Sequence, residues 1–327
     1  MHRKYILSAA LAFFFMLLFQ GQALMGSDLE ISTEFGTERR EGFTQYQIRF
    51  LALDEDDLQI FGNSRLKFPF TSYFSGGSLN AEYAGFSASF GYWQEYRSSK
   101  DEVMEDFDWL TSSQNDDIRL AYGTTTPDPE IYYFQIGLGY DFKYRMLEFG
   151  PFFEYTKFHS EFTMTDLDQL WFYDLNNGTE YDPPRDTMLE GEVLYYEQDL
   201  HLPIFGADVE MAVIPGKVGL KTRFGVSPFA SVDDYDNHIV RSDSLEAWNS
   251  GDGGTAWLFE LGGRFEVFDG LWLKGRFGYS DYSINTTGTQ RVISDETGEP
   301  VVASGIDSQV RGVMRNFRVS ISYLFGS

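Results

Sequence analysis

The 327-residue chain contains no cysteine and only four histidines. Without cysteine it can carry neither a lipoprotein anchor nor a disulfide scaffold, which suits a protein that passes through an oxidising compartment. Positive charge is also scarce: 25 Lys and Arg face 50 Asp and Glu, for a formal net charge of −25. Such a chain is a poor partner for nucleic acid and a good one for cationic peptides or proteins.

Long apolar runs are absent apart from one near the start. Arg3 and Lys4 precede an apolar stretch from Ile6 to Phe19, and Gly21-Gln22-Ala23 follows it. A basic start, an apolar core and small residues at the end are typical of an export signal. We therefore predict a signal peptide at residues 1–23 and a single domain over residues 24–327. No later run approaches the roughly 18 apolar residues that a transmembrane helix needs.

Alternation between apolar and polar residues is the main pattern of the remaining chain, and it is typical of strands with two unlike faces. It recurs near 218–227, 257–267 and 317–325. The segment at 134–142 shows it most clearly, with apolar residues at every second position: Phe134, Ile136, Leu138, Tyr140 and Phe142. A soluble β-sandwich would alternate as well, so this pattern alone does not choose the architecture.

The spacing of turns makes that choice. Tight connections are predicted at Ser75-Gly76-Gly77, Tyr144-Arg145, Pro215-Gly216-Lys217 and Asp269-Gly270, and the segments between them near 54–64, 94–130, 160–190, 231–254 and 286–308 are long and polar. Short turns at one end and long loops at the other are typical of outer-membrane barrels. We predict an all-β, transmembrane, antiparallel up-and-down β-barrel of ten strands with long extracellular loops, surrounded by outer-membrane lipid. A barrel this narrow fills with side chains, which argues against a general porin.

The segment Asp234-Tyr235-Asp236-Asn237-His238 contains a candidate reactive pair. Residues i and i+2 of an extended segment point to the same side, so Asp236 can orient the ring of His238 and stabilise it as it takes up a proton. Glu105-Asp106-Phe107-Asp108-Trp109 lies in the long segment after the third predicted strand, and the Asp-His pair follows the seventh. In a closed ten-stranded barrel the two motifs face each other across the rim. Asp106 and Asp108 could then position a water whose proton His238 takes, for attack on a carbonyl.

These residues resemble the omptins, a family of outer-membrane endopeptidases with ten-stranded barrels. Asp106-Phe107-Asp108-Trp109 is similar to the family's Asp-x-Asp-Trp, Asp236-x-His238 to its Asp-His pair, and Tyr196-x-Gln198, with Pro203 and Gly206, to the strand that leads into the same half of the barrel. The resemblance implies that Asp106, Asp108, Asp236 and His238 are catalytic in an aspartic-type endopeptidase at the cell exterior. It also implies that Asp234 binds a basic side chain beside the cut.

Two features depart from the family's pattern. Omptins place a second acidic residue from the first strand in the specificity pocket, and between Gly36 and Leu53 only Glu38 and Glu41 are nearby, without aligning. The basic residues with which omptins hold lipopolysaccharide are also poorly kept: Asp199 stands where the family has a basic residue, and Lys157 is a partial match. No cofactor is therefore predicted, and a dependence on lipopolysaccharide is in question.

Other interpretations of the same sequence remain open. A non-catalytic barrel of this fold could act as an adhesin or binding protein through its acidic loops. Clustered carboxylates could bind Ca²⁺, although no loop has the ligand spacing of a known calcium motif. Ser231, Ser242 and Ser244 lie near His238 in the sequence, but no Gly-x-Ser-x-Gly motif accompanies them.

Overall fold

The computed structural model describes residues 29–53, 59–111, 117–174, 178–239, 245–293 and 299–325. The predicted signal peptide at 1–23 and two of the candidate serines, Ser242 and Ser244, lie outside these residues. Twelve strands account for nearly all of the described chain: β1 Leu29–Leu53, β2 Gln59–Tyr83, β3 Phe86–Ser98, β4 Met104–Thr111, β5 Asp117–Tyr140, β6 Phe142–Tyr144, β7 Leu147–Asp174, β8 Thr179–Ile214, β9 Val218–His238, β10 Leu245–Phe268, β11 Leu271–Ile293 and β12 Pro300–Phe325. In these residues no helix is long and apolar enough to cross a membrane.

The strands form one antiparallel sheet that closes on itself, because β1 pairs with both β2 and β12. Strands β3 and β4 occupy successive parts of one wall position, since both pair with β2 on one side and β5 on the other. Strand β6 continues the wall position of β5 alongside β7. The twelve strands thus make ten wall positions, and the prediction of a ten-stranded up-and-down β-barrel is confirmed.

Alternating burial gives the barrel its two faces. On β12, Phe317 and Ile321 are each 55% exposed on the outer surface, while Arg318 and Ser320 between them are buried in the lumen. Similar apolar residues form an outer band around the half of the barrel near the tight turns. An exposed apolar band with polar residues inside is the arrangement of a strand wall that faces lipid.

Three of the four predicted turns lie where they were expected, at 145–146, 215–217 and 269–270. The turn at Ser75-Gly76-Gly77 was wrong, because β2 runs through these residues and the chain reverses at Ala84 and Gly85. Both turn residues have positive φ, of 51° and 86°. Gly76 is needed for a different reason: a Cβ there would lie 2.2 Å from the carbonyl oxygen of Tyr92.

The polar segments predicted as loops consist mostly of strand residues. Residues 160–174, 104–111 and 231–238 continue β7, β4 and β9 beyond the apolar outer band, still paired to their neighbours. We call this end of the barrel, opposite the tight turns, the far end. Both candidate motifs therefore lie on paired strands of the far end rather than on loops, which holds their side chains in a defined direction.

Aromatic side chains fill the lumen between the apolar band and the far end. The ring of Phe68 on β2 stacks on Tyr196 of β8 at 4.5 Å between centroids, and Phe162 of β7 packs against both. All three side chains are fully buried. These contacts bring the walls formed by β2 and β8 together across the lumen, directly beneath the candidate motifs.

Candidate active site at the far end of the barrel

Asp234, Asp236 and His238 project from β9 into the lumen. The buried residues of this strand follow the alternation Ala230, Val232, Asp234, Asp236, His238, and the residues between them face outward. Nε2 of His238 lies 3.0 Å from Oδ2 of Asp236. A carboxylate only accepts hydrogen bonds, so this contact puts the ring proton on Nε2 and leaves the lone pair of Nδ1 available as a base.

Asp106 and Asp108 project into the lumen from β4. Both are buried, and the outward positions between and beside them are taken by Phe107 and Trp109. Oδ1 of Asp106 lies 3.4 Å from the hydroxyl of Ser64 on β2, which can donate to it. The alternation of β4 thus places the Asp-x-Asp pair on the inner surface, as the i and i+2 spacing predicts.

The two motifs lie on opposite walls at the same depth. Asp106 is the register partner of Leu66, and the next inward residue of β2, Phe68, stacks on Tyr196 of β8. Tyr196 is in turn the register partner of Asp236. A second contact joins the strands beside them, because Tyr46 on β1, the register partner of Leu66, accepts a hydrogen bond of 2.9 Å from Asn249 on β10, the register partner of Asp234.

Asp234 and Asp236 are desolvated carboxyl groups with unused hydrogen-bonding capacity. Among the described residues, Oδ2 of Asp234 and Oδ1 of Asp236 are buried without a hydrogen-bond partner. Burial, together with the neighbouring carboxylates of Asp236 and Asp233, raises the pKa of Asp234 from 3.8 to about 8, against a smaller opposing effect of the hydrogen bond from Asn249. A polar or cationic group that reached these oxygens would relieve the cost of burying them.

The other described histidines lie outside the lumen. His159 is held between Asp199 and Glu161, with its two ring nitrogens 2.8 and 2.9 Å from their oxygens, on the outward face of β7. His201 contacts the hydroxyl of Tyr155 on the same outer surface. Ser231 is an outward residue of β9, on the opposite face from His238, so it cannot serve as a nucleophile for that ring.

Neither acidic candidate of the first strand reaches the site. Glu38 is bound to Arg40 and Arg318 lower in the lumen, and Glu41 pairs with Arg39 on the outer surface. The β1 residue beside Asp234 is Tyr46, through its contact with Asn249. Tyr46 and Asn249 had no signal in the sequence, because Asn249 reaches Asp234 through the register of β9 with β10 and Tyr46 reaches Asn249 across the lumen. In the described part of the chain, no group of three or more His, Asp or Glu is arranged to hold a metal ion.

The closed wall of ten strand positions with an apolar outer band defines a transmembrane β-barrel. No protein-family model matches the chain, and no curated protein is similar to it in sequence. Among solved structures it is similar to the outer membrane protease OmpT from Escherichia coli, with a TM-score of 0.74 and 14% identity over 90% of this chain and 97% of that chain. The resemblance to the omptins is therefore confirmed at the level of the fold.

Other barrels are similar to a much smaller degree. The translocator domain of the autotransporter NalP from Neisseria meningitidis has a TM-score of 0.36 and 10% identity over 98% of this chain and 97% of that chain. Ail, the attachment invasion locus protein of Yersinia pestis, has a TM-score of 0.30 and 9% identity over 91% and 99%. Scores this low carry no argument about this chain.

Proposed function

We propose that the protein is an omptin-like endopeptidase of the bacterial outer membrane, with its active site at the far end of the barrel and facing the cell exterior. The observation that carries this proposal is the buried contact between His238 and Asp236 on the inner surface of β9. This Asp-His pair lies opposite two further buried carboxylates, Asp106 and Asp108, on β4. A general base with its own orienting carboxylate, facing further carboxylates, is suited to activating water.

In this mechanism water is the nucleophile. Nδ1 of His238 takes a proton from a water held by Asp106 and Asp108, and the water oxygen attacks the carbonyl carbon of the peptide bond. Asp236 keeps the ring in the required tautomer and stabilises the imidazolium that forms. The proton is then available to the leaving amine. No covalent acyl-enzyme forms, so this peptidase is of the aspartic type, without a serine or cysteine nucleophile.

Asp234 supplies the preference for a basic residue beside the cut. Its buried second oxygen lies two residues from Asp236 on the same face of β9, so a side chain bound there leaves the adjoining peptide bond near His238. A cationic side chain pairs with this carboxylate and offsets the cost of burying it. Cationic peptides or proteins are therefore the proposed substrates, in keeping with the net charge of −25.

Lipopolysaccharide is not required in this proposal. At the outer-surface positions where omptins hold it, Lys157 donates to Asp199 at 2.8 Å, and Asp199 also contacts His159. The positive charge of Lys157 is thus neutralised within the protein, which leaves little attraction for a phosphate group.

A mixed peptide library tests the function directly. Refolded protein should cleave it with Lys or Arg enriched beside the cut, and His238→Ala should lower turnover by about 10²- to 10⁴-fold, the usual contribution of a positioned base. His159→Ala is a matched control, because that ring also contacts carboxylates but faces outward. Combining Asp106→Ala with His238→Ala should cost much less than the sum of the two losses, since both residues act on one water.

Normal cleavage by a folded His238→Ala protein would remove this ring from the chemistry. A folded parent that cleaves nothing but binds cationic peptides would instead support the alternative of a non-catalytic binding barrel. Each variant should first show the same heat-dependent shift on gels as the parent, so that loss of folding is not mistaken for loss of chemistry.

A further inference from the structure

One oxygen of Asp234 is already occupied by a neighbouring amide. Nδ2 of Asn249, on β10, donates a hydrogen bond of 2.7 Å to Oδ1 of Asp234 and a second of 2.9 Å to the hydroxyl of Tyr46. The register of β9 and β10 makes this contact, because Asn249 and Asp234 are direct partners in the ladder. An amide nitrogen must face a carboxylate oxygen, so the orientation of the Asn249 side chain is defined.

Several contacts hold Asn249 in this position. Its Oδ1 accepts a hydrogen bond of 3.3 Å from Ser308 on β12, so both ends of the amide are engaged. Gly288 of β11 provides the space, since a Cβ there would lie 1.8 Å from Oδ1 of Asn249. Asn249 is also buried, with 4% of the residue exposed. A substrate therefore meets Asn249 as a fixed part of the pocket rather than as a mobile side chain.

Among the described residues, Oδ2 is the oxygen of Asp234 that is free of hydrogen bonds, and the acid next to it on the same face, Asp236, holds His238 through its own Oδ2. Oδ2 is buried without a hydrogen-bond partner in the described chain. The groups on the neighbouring strand are neutral: Gln198 is the ladder partner of Asp234 on β8, and it donates to the hydroxyl of Tyr196 and accepts from Thr44. Asp234 thus offers a ligand one oxygen that is free of hydrogen bonds within the described structure, with neutral side chains on β8 and β10 beside it.

This geometry should bind the side chains of lysine and arginine with different affinities. A guanidinium binds best when two parallel N–H groups reach both oxygens of a carboxylate, whereas an ammonium is a compact charge that needs one oxygen. With Oδ1 engaged by Asn249, a guanidinium competes with that amide for its second hydrogen bond. An ammonium has three N–H donors against five, so it leaves fewer of them unpaired around a single free oxygen.

We infer that Asn249 is a specificity-determining residue, which makes the pocket at Asp234 select a primary ammonium, as in lysine, over a guanidinium, as in arginine. This inference rests on the proposed function for the cleavage step but concerns binding at Asp234 by itself. It narrows the substrate class from basic peptides to peptides with lysine beside the cut.

The test uses two peptides that differ only by Lys or Arg at one position, each carrying a fluorescent label. For the parent protein, kcat/KM and the affinity measured by fluorescence anisotropy should both favour the lysine peptide by about tenfold, the effect of one charge-assisted hydrogen bond. Asn249→Ala frees Oδ1 of Asp234 and should raise the affinity for the arginine peptide, bringing the ratio close to one or reversing it. Asn285→Ala is the control, because Asn285 bonds to Gln309 on the outer face of β11.

Measuring binding and cleavage separately distinguishes a failure of this inference from a failure of the proposed function. Lysine-selective binding without cleavage of either peptide would contradict the endopeptidase and support the pocket. Cleavage or binding that favours arginine, or that does not distinguish the peptides, would overturn the inference while leaving the endopeptidase intact. Failure of both peptides to bind would overturn it as well, as would an unchanged ratio in a folded Asn249→Ala protein.

Discussion

At the scale of single residues, Asp234 is where burial and charge conflict most strongly. The residue is 6% exposed, and one of its two side-chain oxygens has no hydrogen-bond partner among the described residues. Its pKa is raised from 3.8 to about 8, chiefly by desolvation. Groups of this kind are expected where a protein binds an opposite charge, because the empty site is held in an unfavourable state that the ligand relieves.

This pKa predicts how stability depends on pH. Between pH 3.8 and about 8 the folded protein keeps a proton on Asp234 that the unfolded chain releases, so the free energy of unfolding falls as the pH rises through this range. Asp234→Asn removes the titration and keeps an acceptor for Asn249. The variant should gain stability over the parent on the order of a few kcal/mol at pH 8 to 9, and little at pH 4.

The measurement is the temperature at which the folded gel band is lost, compared for parent and variant across this pH range. Asp307→Asn, at an exposed position on β12, is the control and should show no such trend. A difference between Asp234→Asn and the parent that stayed constant with pH would mean that Asp234 is ionised throughout.

At the scale of elements, the wall is held together by close approach of strands as well as by alternation. Gly76 lies in the middle of β2, where a Cβ would meet the Tyr92 carbonyl oxygen at 2.2 Å and the Trp93 Cα at 2.8 Å. Both contacts are with backbone atoms, which cannot move without shifting β3. Glycine is therefore required at this position by packing across the β2–β3 ladder, not by a turn.

Gly76→Ala should accordingly destabilise the barrel by roughly 1–3 kcal/mol, the usual cost of overpacking. Gly275→Ala is the matched control on β11, where a Cβ would meet nothing within 4 Å, and its effect should be within about 0.5 kcal/mol. Denaturant titration of the refolded proteins measures both changes. Equal stability of the two variants would show that β2 and β3 can separate locally at little cost.

At the scale of the whole molecule, ion pairs and aromatic rings close the lumen inside the apolar band. Glu38 is buried between Arg40 and Arg318, and the guanidinium of Arg318 stacks over Trp93 at 3.8 Å. A second cluster places Arg223 between Glu154 and Glu260. Because these side chains reach across the lumen from several walls, the barrel is a filled scaffold for the far end rather than a channel.

Two measurements follow from this filled lumen. The parent protein should give no stepwise ion conductance in a planar bilayer. Arg318→Met should destabilise the fold by up to about 3 kcal/mol, because it removes one of the two arginines that pair with the buried Glu38. The double replacement Glu38→Gln with Arg318→Met should cost less than Arg318→Met alone. Steady conductance by the parent, or a double variant less stable than Arg318→Met, would contradict this account of the lumen.

The sequence by itself determined what depends on local spacing. Strand alternation and the contrast between tight turns and long polar segments were enough to predict a ten-position barrel, and the spacing of Asp236 and His238 was enough to predict their contact. These predictions match the structure because residues i and i+2 of a strand share a face whatever the neighbouring strands are. The predicted turn at Gly76 and Gly77 was wrong because glycine does not mark turns alone. It also occurs within strands where a neighbouring backbone comes too close for a Cβ.

The tertiary structure alone decided which residues meet across the barrel. Tyr46 and Asn249 are separated by about two hundred residues, and both reach the surroundings of Asp234. Their meeting depends on the register of each ladder and on the closure of β1 against β12. A shift of one residue in any ladder would turn a strand's inward side chains outward, so the surroundings of Asp234 are a property of the closed barrel and not of any single segment.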